Sequence, residues 1–240
     1  MDLAVEVQEL VRDYGGRRAV DRVSFTVNRG EVFGLIGPNG SGKTTTLRII
    51  ATLLKPSGGQ VRIFGLDVVR QASAVRRLIS YLPEEAGAYK NLSGLDYLKF
   101  MATFYSRDTR ERDRLVENGM TLAGLGRRIN DRVATYSKGM ARKLLLARTL
   151  MVMPQLAILD EPTSGLDVEN SMAIRNRIRE FTRQGTTFLV SSHNMLEVEF
   201  LSDRVGIIRN GQLIGLGTPA ELKSRFNARN LEEVFIRAAE

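Results

Sequence analysis

The segment Gly37-Pro38-Asn39-Gly40-Ser41-Gly42-Lys43-Thr44 sets three glycines ahead of and around a lysine and a hydroxyl at fixed spacing. Glycines let successive backbone N–H groups turn toward one anion with no Cβ in the way, and a following helix adds its positive N-terminal end. In such a loop Lys43 pairs with the β- and γ-phosphates of a nucleoside triphosphate, Thr44 reaches a Mg²⁺ ion, and Thr45 carries the cradle into the helix. A second segment, Leu156-Ala157-Ile158-Leu159-Asp160-Glu161, ends an apolar run in two carboxylates. A first carboxylate beside Mg²⁺ stays ionised and holds the ion or its water, and the second is placed to polarise an attacking water. The chain's one histidine, His193, follows Val190-Ser191-Ser192, where it can bond a γ-phosphate and position water. Tyr136-Ser137-Lys138-Gly139-Met140 opens an apolar helix pattern. Ser137 there reads first as a natural N-cap, while a helix start with Ser, Lys and Gly is also a second anion site.

These groups need strands that end together. Val5–Leu10, Val23–Val27 and Glu31–Ile36 read as strands. The second alternates apolar and polar residues, as a half-exposed antiparallel strand should, whereas the third ends in the unbroken apolar run of a strand covered on both faces. Leu156–Leu159 and Thr186–Ser191 are two more strands of the covered kind. Helices are expected through Thr45–Ile50, from a capping box at Ser93-Gly94-Leu95-Asp96 through Tyr105, and from Thr218-Pro219-Ala220-Glu221 onward. Strands alternating with helices imply a mainly parallel sheet, and the C-terminal edge of such a sheet is where ligands bind. The reading is therefore one α/β domain over residues 1–240. It has a mainly parallel phosphate-loop core, an N-terminal antiparallel β part, an inserted helical subdomain over 84–150 and a helical tail over 218–240.

With 240 residues, 43% hydrophobic and 26% charged, the chain has ordinary globular composition and enough length for a sizeable core. It has no Cys, which excludes disulfides and thiolate metal sites and fits a reducing compartment. The first residues lack the basic-then-apolar plan of a signal peptide, and no apolar run approaches the roughly 18 to 20 residues that span a bilayer. The net charge is +8, and residues 84–150 supply +5 of it with 13 basic and 8 acidic side chains. Such an excess suits nucleic acid, an anionic membrane or phosphate-rich ligands, and equally an Arg-rich solvated surface.

Taken together, in this order and spacing, these motifs resemble those of the ATPase domain of ABC transporters over essentially the whole chain. That resemblance implies ATP and Mg²⁺ as ligands, with Lys43, Glu161 and His193 catalytic and Thr44, Asp160 and Glu84 toward the metal. It implies Tyr14 stacking on adenine, and Ser137 and Gly139 as the signature motif that binds the γ-phosphate held by the opposite subunit. Ser164-Gly165-Leu166-Asp167 then links the two sites across a dimer. Two positions depart from the family pattern. Lys138 stands where the middle signature residue is usually Gly, and Glu84 stands where a Gln is usual. Both departures, and the ending Asn230–Phe235, resemble the branch of separately encoded ATPases that serve exporter permeases for drugs, sodium ions, lipids or polysaccharides.

The expected function is thus an ATP-hydrolysing subunit that homodimerises on ATP and powers a membrane permease, peripheral to the membrane on its cytoplasmic face. The groove from Glu84 to about Tyr105, with small Ala86-Gly87-Ala88 and an amphipathic Tyr89, is the expected permease contact. The alternative is an ABC-type ATPase acting on nucleic acid or in translation, although no tandem domain, coiled coil or zinc ligand set accompanies it here. A GTPase would need a guanine-reading Asn-Lys-x-Asp motif, which is missing.

Overall fold

The computed structural model describes residues 2–238. Strands β1 (Leu3–Tyr14) and β2 (Arg17–Asn28) pair antiparallel across Gly15 and Gly16, whose φ values are +51° and +99°. A two-residue hairpin turn needs positive φ at both central positions to match strand twist, and glycine meets it without a Cβ penalty. Both strands run well beyond the expected Val5–Leu10 and Val23–Val27. Their polar outer ends, including Tyr14 opposite Arg17, pair through the backbone, which hydropathy cannot register. Strands β4 (Gly58–Ile63) and β5 (Leu66–Asp67) complete an antiparallel sheet in the order β2-β1-β4-β5.

The second sheet is built on β3 (Val32–Ile36), buried at every position. With β6 (Ile79–Leu82), β7 (Leu156–Asp160), β8 (Thr187–Ser192), β9 (Arg204–Arg209) and β10 (Gln212–Gly217) it runs in the order β10-β9-β3-β8-β7-β6. Its neighbours pair in parallel, except that β10 returns antiparallel on β9. Side chains along β7 alternate between two cores, as the two-residue period of a strand dictates. Leu156 and Ile158 join α1 (Lys43–Ile50) and the antiparallel sheet on one face. Ala157 and Leu159 face a helical layer of α3 (Gly94–Ala102), α4 (Thr109–Ala123), α5 (Lys138–Leu150) and α6 (Val168–Arg183) on the other.

Residues 84–150 are thus helical with interruptions, since 3₁₀ turns at Gly126–Asn130 and Val133–Thr135 fold α5 back onto the sheet. Helices α3 to α5 share one hydrophobic core with β7 and β8. Helix α3 stops at Ala102, short of the expected Tyr105, and Ser93 is its N-cap. The expected capping box there is half realised: the Asp96 N–H donates to Ser93 Oγ at 3.0 Å, while the Asp96 carboxylate, one methylene shorter than the usual Glu, takes the Ser93 hydroxyl at 2.7 Å in place of the backbone N–H. The Thr218–Glu221 capping box is complete and opens α8 (Pro219–Arg225), after which α9 (Leu231–Arg237) follows. Both pack with α7 (Met195–Leu201) against β9, and Ala239 and Glu240 of the expected tail lie outside the described residues. Among the described residues no helix is long and apolar enough to cross a membrane.

Gly34 lies at the centre of β3, where a Cβ would stand 2.4 Å from Val198 Cγ1 and 2.6 Å from Ser202 Oγ. That absent side chain lets α7, and so the segment carrying His193, lie against the sheet. Gly34→Val is expected to destabilise the fold by about 1–3 kcal/mol through overpacking. Thermal denaturation checks this, at roughly 2–4 °C per kcal/mol for a chain of this size.

Candidate active site

Beyond Ile36 the chain turns through Gly37–Gly42 into α1. Contact requires glycine at two of these positions. A Cβ on Gly37 would lie 2.1 Å from the Ile208 carbonyl, and one on Gly42, at φ +110°, 2.5 Å from the Ala19 carbonyl. Pressed down on its neighbours in this way, the loop opens on a cavity of about 460 Å³ lined by Asn39, Gly40, Gly42, Lys43, Thr44 and Thr45. No side chain caps α1 at Gly42, so the leading N–H groups of the helix, which have no intrahelical partner, are available to an anion. Ser41 is buried, its hydroxyl has no hydrogen-bond partner among the described residues, and its N–H donates to Pro38 O at 3.2 Å.

Lys43 is 5% exposed and donates to the Gly37 and Pro38 carbonyls at 2.7 and 3.1 Å. Burial holds its pKa below the ordinary lysine value against the attraction of Glu161, Asp160 and Glu84. Tyr14 and Glu84 close the same cavity from the hairpin and from the loop after β6. Tyr14 is 44% exposed at the rim, with the Arg12 guanidinium 4.6 Å over its ring.

Strand β7 delivers Asp160 and Glu161 beside this loop, with both carboxylates buried. Asp160 accepts from Thr44 Oγ1 and from the Tyr81 hydroxyl, each at 3.3 Å, and from the Ser191 hydroxyl. Burial and the Asp160 charge push the Tyr81 phenol up to about 12. Hard oxygens from Thr44 and Asp160, with Glu84 on the same cavity wall, suit Mg²⁺ completed by phosphate and water oxygens. Glu161 takes φ +49°, a left-handed conformation that costs a residue with a Cβ about 1–2 kcal/mol. Its Oε2 lies 2.9 Å from His193 Nδ1, its Oε1 lies 3.8 Å from Lys43 Nζ, and Oε1 has no hydrogen-bond partner among the described residues. A buried acceptor left open between a cation and an imidazole suits a bound water. Glu161 also lines a second cavity, of about 360 Å³, with Ser164, Gly165, His193 and Phe200.

Ser137, Gly139 and Asp167 lie elsewhere: none lines the cavity around the phosphate loop. Ser137 caps α5 by accepting the Met140 N–H at 3.2 Å. Asp167 caps α6 and bonds the Asn170 amide at 2.8 Å, and the Asn170 backbone N–H is the main reason its carboxyl titrates below the usual range. Gly139 admits that Asn170 side chain, which a Cβ would meet at 2.6 Å, and Lys138 lays its ammonium against Gly165. The start of α5 and the Ser164–Asp167 loop therefore form one surface.

Several residues of this site were not singled out from the sequence. Ser191 stands beside Asp160 in the β7–β8 register, accepts the Glu161 N–H at 3.2 Å, and is one of two serines that end a fully buried strand. Arg17 and Ala19 line the nucleotide-sized cavity with Tyr14. Arg142 is 8% exposed and gives its guanidinium to backbone carbonyls of Pro83, Glu84, Asp160, Glu161 and Pro162. Its signal was present, because position 142 falls at helical spacing among the buried Gly139, Leu146 and Thr149.

Comparison with known proteins finds similarity along most of the chain. Residues 20–164 match the family model described as ABC transporter. The chain is 39% identical over 231 residues to the daunorubicin/doxorubicin resistance ATP-binding protein DrrA of Streptomyces peucetius, covering 95% of this chain and 69% of that one. It superposes with TM-score 0.87 on a solved ATP-binding subunit of an ABC transporter, 30% identical over 99% of this chain and 100% of the other. A dimeric ATP-binding cassette bound to ADP and Pi shares the fold with TM-score 0.80 at 24% identity, covering 89% and 98% of the two chains.

Ser191→Ala removes the hydroxyl that joins Asp160 to the Glu161 backbone and leaves a buried carboxylate short of a donor. A loss of about 1–3 kcal/mol is expected, measured by urea denaturation at unchanged m-value.

Proposed function

The chain belongs to the ABC transporter family as an ATP-binding subunit that hydrolyses ATP, and on that premise we propose that two copies close face to face on two MgATP molecules and drive a separate membrane permease. The observation that carries this reading is the placement of Glu161. It is the common wall of the cavity around the phosphate loop and of the cavity beside Ser164 and His193. One side suits a nucleotide, and the other belongs to the surface that carries the Ser164–Asp167 loop. Ser137 and Gly139, turned away from the first cavity, complete a phosphate site only for a second copy. A cassette of the same fold that is dimeric with ADP and Pi bound is in keeping with pairing of two copies.

Within each site the roles divide by chemistry. Gly37, Pro38, Asn39, Gly40, Ser41 and Gly42 hold the phosphates through backbone N–H groups and the shape of the loop. Lys43 exchanges the Gly37 and Pro38 carbonyls for β- and γ-phosphate oxygens, and Thr45 continues the cradle into α1. Tyr14 stacks on adenine. Thr44 and Asp160 hold Mg²⁺ with help from Glu84, and that ion supplies charge neutralisation on the transferring phosphoryl group. Glu161 accepts the proton of the water that attacks the γ-phosphorus as the bond to ADP breaks. His193, hydrogen-bonded to Glu161, orients that carboxylate and the γ-phosphate.

The permease contact fits an exposed aromatic row along the entry to the helical layer, residues 84–150, which we treat as an inserted subdomain. Tyr89, Phe100 and Phe104 are 57%, 41% and 69% exposed, and their rings meet edge to face at 5.6 and 5.2 Å. Solvent-facing aromatics in contact with one another are the composition of an interface core. On this reading the subunit works peripherally, on the cytoplasmic face of a membrane. The name of the Streptomyces peucetius relative supports export as the direction, and transporter-family membership leaves the nucleic-acid alternative without support.

Glu161→Gln keeps the shape of the side chain and loses the acceptor. Turnover is expected to fall about 10²- to 10⁴-fold while ATP still binds, so light scattering should show the mass of a dimer with ATP and of a monomer with ADP. Full turnover, or equal mass with both nucleotides, would overturn the assignment. Tyr89→Asp should leave ATPase activity in the isolated subunit intact and abolish ATP-driven transport in membranes that contain the permease. Normal transport in that variant would move the docking site elsewhere.

A further inference from the structure

Arg142 uses the whole guanidinium. Nε donates to Pro162 O at 2.8 Å, Nη1 to the Pro83 and Glu84 carbonyls at 3.2 Å each, and Nη2 to the Asp160 and Glu161 carbonyls at 3.0 and 2.7 Å. Five N–H donors thus meet five backbone acceptors in a site almost closed to water, and among the described residues no carboxylate pairs with the cation directly. Carbonyl oxygens on two separate segments make Arg142 a template for backbone shape.

Both segments carry groups of the hydrolytic site: the loop after β6 presents Glu84, and the end of β7 presents Asp160 and the left-handed Glu161. The template itself sits on α5, five residues beyond Ser137 and three beyond Gly139. A rigid helix therefore connects the surface offered to the second copy with the peptide units that aim the chain's own carboxylates. Lys cannot replace the fork, since its three donors radiate from one nitrogen and cannot lie in a plane against five carbonyls.

We propose that Arg142 is a positioning residue that sets the Glu161 and Glu84 backbones from helix α5, so that engagement of Ser137 and Gly139 by the nucleotide of a second copy aligns the catalytic carboxylate of this one. It touches no reacting atom and acts through peptide groups alone. The inference rests on the roles given above to Glu161, Ser137 and Gly139, and it adds a route by which one site governs the other.

The test measures ATPase kinetics and binding of a fluorescent ATP analogue on the full chain, for wild type, Arg142→Ala and Arg142→Lys, with Glu161→Gln alongside. Arg142→Ala is expected to lower kcat about 10²-fold, the scale of an ångström misplacement of a catalytic group, with analogue affinity unchanged and the Hill coefficient for ATP reduced to one. Arg142→Lys should resemble Arg142→Ala. Free guanidinium ion, below unfolding concentrations, should restore turnover to Arg142→Ala and do nothing for Glu161→Gln. If Arg142→Ala melts below the assay temperature, Arg142→Gln, which keeps two donors, carries the same comparison. Wild-type kcat, or a joint loss of kcat and affinity without guanidinium rescue, would reduce Arg142 to ordinary packing and overturn the proposal while Glu161 keeps its role. Full turnover in Glu161→Gln would overturn that role, and this inference with it.

Discussion

Lys43, Arg142, Asp160 and Glu161 are all buried at the C-terminal edge of one parallel sheet, and everything around them answers to the cost of keeping charge out of water. An unpartnered charge at such a depth costs far more than a fold can supply. Backbone dipoles and hydroxyls do most of the compensating: two carbonyls on Lys43, five on Arg142, and three hydroxyls on Asp160. The parallel sheet makes this possible, because strands that run the same way bring successive chain segments to one edge. Loops leaving β3, β7 and β8 then meet there without a long excursion.

Chemistry that depends on a continuous stretch of chain was legible in the sequence. The phosphate loop is such a stretch, since glycine positions, lysine and hydroxyl are all set by local backbone geometry. Asp160, Glu161 and His193 were legible for a related reason: each follows an apolar strand, and strand ends in an α/β sheet converge. The Thr218 capping box could be read outright, because a helix start is a four-residue event. Strand extent was less readable. The outer ends of β1 and β2 and the whole of β4, β6, β9 and β10 are held by pairing to partners far along the chain, and nothing in a hydropathy window announces such a partner.

Arg142 and Ser191 show where sequence reading runs out. Each looked like an ordinary residue of its element, a polar position near a helix start and a small residue in a strand. Their importance comes from acceptors contributed by Pro83, Glu84 and Asp160–Pro162, a set that exists only once the sheet is assembled. The polar side chain placed on a buried helical or strand face is the local clue, and it has to be read against the burial of its neighbours. The departures at Lys138 and Glu84 were visible as substitutions, whereas their surroundings, Gly165 for the first and the nucleotide-sized cavity for the second, were not.

Glu161 stands as the partition between two hollows, with one oxygen toward Lys43 and the other toward His193. A side chain in that place cannot move toward one neighbour without leaving the other, because its two oxygens are fixed on one planar group. The two hollows therefore share a single rigid lever. A displacement that begins in one compartment arrives in the other with no element between them to absorb it.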